Sequence, residues 1–149
     1  FKLIKFRTMH ENSENILKLL LKNDKKSRLE YEKYHKLIND PRITPIGRFL
    51  RKSSLDELPQ LWNVIKGDMA LVGPRAYMPN EKEKMGGSED IIFQVSPGLT
   101  GWWQVMGRHN TTFQERLELD KYYISNFSTW LDFYILIKTV AVVIGGKGT

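Results

Sequence analysis

The chain has 149 residues, of which 41% are hydrophobic and 27% charged, and it contains no cysteine. These values are typical of one globular domain, assigned to residues 1–149, and they exclude disulfide bonds and cysteine-bound zinc. The net charge of +6 is uneven, because residues 1–52 carry 14 Lys and Arg against 6 Asp and Glu, whereas the remainder carries 9 against 11.

In the first half of the chain, the residue patterns predict one short strand followed by helices. Partial alternation of apolar and polar residues from Phe1 to Met9 is typical of a strand. Apolar residues recur at helical spacing between residues 11 and 38, which predicts one or two helices. Residues 46–51 then predict a short basic amphipathic helix or turn.

A capping-box sequence, Ser54-Leu55-Asp56-Glu57, precedes an apolar run and predicts a helix with Ser54 as its N-cap. This helix is expected to end near Ile65, with Gly67 at its C-cap. Because proline is unfavourable inside a helix, Pro59 predicts either a kink or a later helix start.

The second half of the chain predicts short strands and then two longer helices. The predicted strands are Met69 to Val72, Ile91 to Val95 and Thr100 to Met106, with a short polar helix from Pro79 to Met85. Thr111 or Thr112 caps a helix to about Asn126, and an apolar helix follows from Leu131 to Ile144. The overall pattern is α+β and mainly helical, and the last helix is shorter than the ~18–20 residues that span a bilayer.

Residues 51–75 contain the strongest chemical signal, because adjacent acids lie between arginines. Asp56 and Glu57 are flanked by Arg51 and Arg75, and Asp68 follows closely. Carboxylates bind hard divalent cations, guanidinium groups bind phosphate oxygens, and a carboxylate can also carry a phosphoryl group covalently. The alternative is that the two acids only stabilise the first turn of a helix.

Several runs occur in the order typical of one protein family: KFRTM at residues 5–9, SLDELPQLWNV at 54–64, KGDM at 66–69, VGPR at 72–75 and PGLTG at 97–101. With shorter matches that continue to Tyr123, nearly the whole chain resembles the bacterial sugar transferase family of monotopic phosphoglycosyl transferases. The resemblance implies a compact α+β catalytic domain, mainly helical with a few short strands. It also implies association with the cytoplasmic face of the bacterial cell membrane, after a re-entrant membrane helix that is absent from this chain.

The resemblance implies a reaction as well: transfer of a sugar-1-phosphate from a UDP-sugar to polyprenyl (undecaprenyl) phosphate. That reaction initiates synthesis of exopolysaccharide, capsule or glycoconjugate. It assigns Asp56 as the nucleophile and as a ligand of Mg²⁺, with Glu57 as its catalytic partner. Arg51, Arg75 and Arg108 are implied to bind substrate phosphate. The expected partners are the UDP-sugar, polyprenyl phosphate and the membrane surface, and not nucleic acid.

The competing hypothesis is a non-enzymatic basic module that binds anionic lipid or nucleic acid through residues 1–52. It accounts for the charge asymmetry, as does a solvated Lys-rich helical face between residues 18 and 36. It does not account for acids interleaved with arginines at residues 51–75, since an anion binder gains nothing from carboxylates. The aromatic residues also allow two interpretations, packing in the core or a belt at a lipid interface; they are Trp102, Trp103, Trp130, Phe133 and Tyr134.

Overall fold

The computed structural model describes residues 1–34, 37–107 and 111–145, and within them it is mainly helical with two short strands. This agrees with the mainly helical α+β fold expected from the sequence. The α-helices are α1 (Ser13–Asn23), α2 (Lys25–Tyr34), α3 (Pro45–Lys52), α4 (Gln60–Ile65), α5 (Glu89–Ile92), α6 (Trp102–Met106), α7 (Phe113–Ser125) and α8 (Thr129–Ile144). The strands are β1 (Ala70–Val72) and β2 (Gly98–Thr100), and 3₁₀ helices cover Leu55–Glu57 and Pro79–Lys84.

The two strands form a parallel pair, with Ala70 opposite Gly98 and Val72 opposite Thr100. Helix α8 packs beside this pair, and the hydroxyl groups of Thr100 and Thr139 lie 2.7 Å apart. Tyr123 connects α7 to α8 and to β1. Its hydroxyl donates to Asp132 Oδ1 in α8 at 2.7 Å and lies 3.4 Å from Val72 O in β1.

Two small clusters of buried side chains form the core. One consists of Val72, Tyr123 and Ile135, which join β1, α7 and α8. The other consists of Met85, Ile92 and Leu117, which join the segment around α5 to α7. No helix in the described part of the chain is long and apolar enough to cross a membrane.

The first eight residues form an extended segment, and the strand predicted from Phe1 to Met9 is wrong. The backbone hydrogen bonds of this segment go to separate elements: Ile4 N donates to Asn63 Oδ1 at 3.2 Å, and Phe6 N donates to Asp56 O at 3.0 Å. Met9 makes only an isolated bridge to Ile43. The alternation that suggested a strand therefore reflects contacts with loops and helices and not with a neighbouring strand.

Two further predicted strands are wrong. Ile91 and Ile92 belong to α5, and only Thr100 of the predicted Thr100 to Met106 strand lies in β2. Trp102 instead begins α6 after an extended Gly101. Short apolar runs fit a buried helix as well as a buried strand, so periodicity cannot separate the two.

The longer helices agree with the sequence patterns. The region from residue 11 to 38 contains α1 and α2, and α3 matches the predicted basic helix. Thr112 caps α7 as predicted: its hydroxyl accepts from Glu115 N at 3.3 Å, and Glu115 Oε2 accepts from Thr112 N at 2.7 Å. These signals are local in sequence, which is why they could be recognised without the fold.

Candidate active site

The Asp56-Glu57 pair lies in a tight turn between α3 and α4, and the helix start predicted at Ser54 is wrong. Ser54 has a φ of +56°, in the left-handed region, and its side chain caps no helix. Asp56 and Glu57 occupy a 3₁₀ turn, and α4 begins at Gln60, directly after Pro59. The later start predicted from Pro59 is therefore confirmed, because proline is favourable only in the first turn of a helix.

The N-terminal segment supplies a positive charge to this turn. Lys5 Nζ lies 2.5 Å from Glu57 Oε1, and both side chains are partly exposed. Phe6 N donates to the carbonyl of Asp56, which holds the segment against the turn. The structure thus adds Lys5 to the candidate site. In the sequence, the only indication for Lys5 was its position in the KFRTM run.

Asp56 is a half-buried carboxyl group with charged neighbours of both signs. Burial raises its pKa above the ordinary range, and the negative charge of Glu57 raises it further. The positive charges of Lys5 and Arg51 act in the opposite direction. Asp56 is therefore partly desolvated yet close to two cations, as expected for a carboxylate that meets an anionic substrate.

Arg51 is held beside Asp56 by the N-terminal segment. Its Nε donates to the buried hydroxyl group of Thr8 at 2.9 Å. Gly47 makes this approach feasible, since a Cβ at that position would lie 2.0 Å from Thr8 O. Asp68, in contrast, accepts a hydrogen bond from the buried Asn63, whose Nδ2 lies 3.2 Å from Asp68 Oδ2.

Arg75 lies in a second cluster, around the turn that follows β1. Its guanidinium group lies 5.6 Å from the Trp103 ring centre and 5.8 Å from that of Tyr77. Its Nη2 is 3.8 Å from Glu81 Oε1. Within the described residues, the hydrogen bonds, ion pairs and ring contacts of Arg75 lie in this cluster, and none joins it to Asp56.

Asp120 is the buried carboxyl group that organises the second cluster. Its Oδ2 accepts hydrogen bonds from Arg75 N at 3.1 Å and from the hydroxyl of Tyr77 at 2.8 Å. Burial raises the pKa of Asp120 to about 6, although those hydrogen bonds and the charges of Arg75 and Arg116 oppose the rise. Burial and the charge of Asp120 also raise the pKa of Tyr77.

A cavity of about 400 Å³ adjoins Arg75 and Tyr77, and its wall includes Phe1 and Leu3 of the N-terminal segment. Because the same segment contacts Glu57 through Lys5, it connects the two clusters structurally.

Arg108 lies outside the described residues, so its assignment to phosphate binding stays a prediction. Arg116 belongs to the second cluster but gave no signal in the sequence.

The residues around Asp56 fit a Mg²⁺ ion that is shared with a substrate. Within the described part of the chain, no three His, Asp or Glu side chains lie together in a group that could hold a metal ion without a substrate. Mg²⁺ is commonly bound by one or two carboxylates together with substrate phosphates. Asp56 and Glu57 supply carboxylates of this kind. A cation would offset their mutual repulsion, which adds to the larger effect of burial in raising the pKa of Asp56.

Comparisons with known proteins match almost the whole chain. The model of a family described as bacterial sugar transferase matches residues 1–146. The chain is 49% identical over 148 residues to the UDP-galactose-lipid carrier transferase of Erwinia amylovora and 50% identical over 148 residues to the undecaprenyl-phosphate galactose phosphotransferase of Salmonella typhimurium. It is 40% identical over 149 residues to the exopolysaccharide production protein ExoY of Sinorhizobium fredii.

These alignments include 99%, 99% and 100% of this chain, but 31%, 31% and 66% of the respective relatives. The chain therefore spans about a third of the length of the first two proteins.

Proposed function

Because the chain belongs to the bacterial sugar transferase family, we propose that it is the catalytic domain of an enzyme that transfers a sugar phosphate from a UDP-sugar to undecaprenyl phosphate. The names of two similar proteins support this proposal, since one mentions UDP-galactose and a lipid carrier, and the other undecaprenyl phosphate and galactose. The name of a third relates to exopolysaccharide production. The hypothesis of a non-enzymatic basic module finds no support among these relatives.

The observation that carries the proposal is the half-buried Asp56 carboxyl group beside Glu57, with Lys5 and Arg51 close enough to offset its charge. In the first step, the Asp56 carboxylate attacks the phosphorus that bears the sugar. The bond from this phosphorus to the UMP oxygen breaks, and UMP leaves with the electron pair. A sugar-phosphoryl-aspartate remains on the enzyme.

In the second step, an oxygen of undecaprenyl phosphate attacks the same phosphorus and displaces the Asp56 carboxylate. The product is a sugar linked to the lipid through a diphosphate. Arg51 and Lys5 stabilise negative charge near the reacting phosphate, and Arg75 and Arg108 are proposed to bind substrate phosphate. Mg²⁺, held by Asp56, would supply further neutralisation of phosphate charge when bound.

The lipid substrate also implies a location at the membrane, and we propose that the domain lies on its cytoplasmic face. Exposed apolar side chains support contact with a membrane surface. On α8, Trp130 and Phe133 are exposed, and on the basic helix α3, Ile46 and Phe49 are exposed. Amphipathic helices of this type lie in the interface between lipid and water.

The test is release of UMP from a panel of UDP-sugars in the presence of undecaprenyl phosphate and Mg²⁺. Asp56→Asn keeps the size of the side chain but removes the attacking charge, so we expect turnover to fall by about a thousandfold or more. Asp90→Asn, at an exposed carboxylate on α5, is the matched control and should retain activity. Near-normal UMP release by a folded Asp56→Asn protein would exclude Asp56 as the nucleophile.

A further inference from the structure

The Trp103 ring in α6 lies close to two guanidinium groups. The Cζ atom of Arg116 is 4.4 Å from the ring centre, and that of Arg75 is 5.6 Å from it. Trp103 is buried, and its Nε1 donates to Thr111 Oγ1 at 2.9 Å, which fixes the orientation of the ring. Two arginines from different parts of the chain therefore both lie within cation–π distance of this one ring.

The positive charges at this surface are only partly paired among the described residues. The charge of Arg75 lowers the pKa of Arg116, after the larger effect of burial, so the two groups repel each other. Arg75 reaches Glu81 only at 3.8 Å. Asp120 Oδ2 already accepts from Tyr77 and a backbone amide, and the buried Asp120 Oδ1 accepts no hydrogen bond, from either arginine or any other group. The buried Nε of Arg116 has no hydrogen-bond partner, and no ion pair involves Arg116 in the described part of the chain.

A buried N–H group without an acceptor is costly, and two adjacent guanidinium groups suit the oxygens of a phosphate. The neighbouring cavity of about 400 Å³ has Arg75 and Tyr77 in its wall and is otherwise largely apolar, with Leu3, Pro74, Phe93 and Val95 among the lining residues. A ligand with a phosphoryl group and an organic portion matches this combination of charge and apolar volume.

We propose that Arg75 and Arg116, held on the Trp103 ring, bind a phosphoryl group whose organic portion occupies the adjoining cavity. This inference rests on the proposed function, because the phosphoryl group would belong to one of the two substrates of that reaction. It assigns to Arg116 a direct part in substrate binding. The shared chemistry is a phosphate ester, and its source is either the nucleotide or the lipid.

The first experiment measures the affinities of UDP and of farnesyl phosphate for the full-length protein by calorimetry. Arg116→Gln should weaken binding of at least one of them by about tenfold or more, since a charge-assisted hydrogen bond is lost. Arg116→Lys should recover part of that loss, because it restores the charge but not the planar fork. Arg28→Gln, at an exposed arginine on α2, is the control and should bind both compounds as the parent does.

A weaker affinity for UDP alone would identify the nucleotide as the source, and a weaker affinity for farnesyl phosphate alone would identify the lipid. Unchanged affinity for both in Arg116→Gln would overturn the proposal. A second measurement on the unmodified protein guards against a variant that fails to fold. UDP or farnesyl phosphate should protect Arg116 from phenylglyoxal, as measured by peptide mass spectrometry, whereas uridine or farnesol should not. Equal labelling of Arg116 under all conditions would also overturn it.

The outcome separates this inference from the proposed function. If UMP release depends on Asp56 but neither binding nor labelling depends on Arg116, only the phosphoryl site is wrong. If no UDP-sugar yields UMP while UDP or farnesyl phosphate still binds through Arg116, the site stands and the reaction assignment fails.

Discussion

At the scale of single residues, the candidate nucleophile depends on charges that come from distant positions in the chain. Lys5 and Glu57 are separated by 52 residues in sequence, yet their charged atoms are 2.5 Å apart. Such a pair at a partly exposed site contributes roughly 1 kcal/mol or less to stability. The pair has a larger effect on the electrostatic environment of Asp56. The positive charge of Lys5 lowers the pKa of that carboxyl group, whereas the negative charge of Glu57 raises it.

Replacing Lys5 with Met keeps much of the side-chain volume and removes its charge. We expect kcat/KM for UMP release to fall about tenfold or more, because the negative charges of Glu57 and the substrate phosphate lose a nearby cation. The free energy of unfolding should change by about 1 kcal/mol or less. Lys2→Met, in the same segment but at a lysine with no ion pair among the described residues, is the control. Equal activity of the two variants would remove Lys5 from the site.

Asp120 makes a testable contribution to the pH dependence of stability. Its pKa in the folded protein is about 6, above the ordinary 3.8, so folding favours its protonated form. The associated stabilisation is complete below about pH 4 and is lost as the pH rises through about 6. Its hydrogen-bond donors are Tyr77 and the Arg75 amide, and the facing charges are those of Arg75 and Arg116.

Asp120→Asn stays neutral throughout this range. The stability of the parent relative to this variant should therefore decrease by about 2 kcal/mol between pH 4 and pH 7. Urea unfolding at a series of pH values measures the difference, and Asp90→Asn provides the comparison. Parallel stability curves for the parent and Asp120→Asn would show that Asp120 does not titrate in this interval.

At the scale of elements, the position of the N-terminal segment depends on a close approach between Thr8 and α3. Gly47→Ala would place a Cβ about 2.0 Å from Thr8 O, a backbone atom that cannot move alone. We expect a loss of about 2 kcal/mol or more in the free energy of unfolding, measured by denaturant titration. Activity should also fall, since Arg51 is held by Thr8.

Gly86→Ala is the matched control for this prediction. A Cβ at Gly86 meets nothing within 4 Å, although its φ of +58° disfavours a side chain. This substitution should cost only about 1 kcal/mol. Equal losses in the two variants would mean that the backbone near Thr8 adapts and that the approach is not restrictive.

The elements that could be predicted from sequence are those with local signals. The cap predicted at Thr111 or Thr112 and the helical spacing before Asp40 correspond to α7 and to α1 and α2. The adjacent acids Asp56 and Glu57 were likewise visible as a pair. Lys5, which pairs with Glu57, and Arg116, which belongs to the cluster around Arg75, could not be predicted in this way, because each reaches its position only through tertiary packing.

The errors have the same origin. Phe1 to Met9 alternates like a strand but is bound by side chains and turns from several elements. The Ser54 capping box fails because Pro59 delays the helix, and Ser54 instead adopts a left-handed conformation. In each case a nonlocal contact or a steric restriction outweighed the local pattern.

At the scale of the whole molecule, exposed apolar side chains and basic charge favour reversible binding to an anionic membrane surface. On α3, Ile46 and Phe49 are 74% and 64% exposed, with Arg48 and Lys52 on the same helix. Co-sedimentation should show binding to anionic vesicles that weakens steeply as salt rises, because charges are screened over ~8 Å at physiological ionic strength.

Ile46→Ser combined with Phe49→Ser should reduce that binding about tenfold, because both changes remove apolar surface from the interface. Leu29→Ser, at an exposed apolar position on α2, is the control. Equal binding to neutral vesicles at high salt would mean that apolar insertion dominates. No binding to anionic vesicles at low salt would mean that the basic charge serves the substrate instead.

The extended N-terminal segment has a consequence for how the protein loses activity. It is attached by separate hydrogen bonds at Lys2, Ile4, Phe6 and Thr8, whereas β1 and β2 pair with each other and pack against α4 and α8. A segment attached in this way can open as a unit at a lower free energy than global unfolding requires. Each opening would separate Lys5 from Glu57 and Thr8 from Arg51 while the rest of the molecule stayed folded. On warming, catalytic competence would therefore disappear before the secondary structure melts, and the amides of Ile4 and Phe6 would exchange with solvent earlier than that of Gly73.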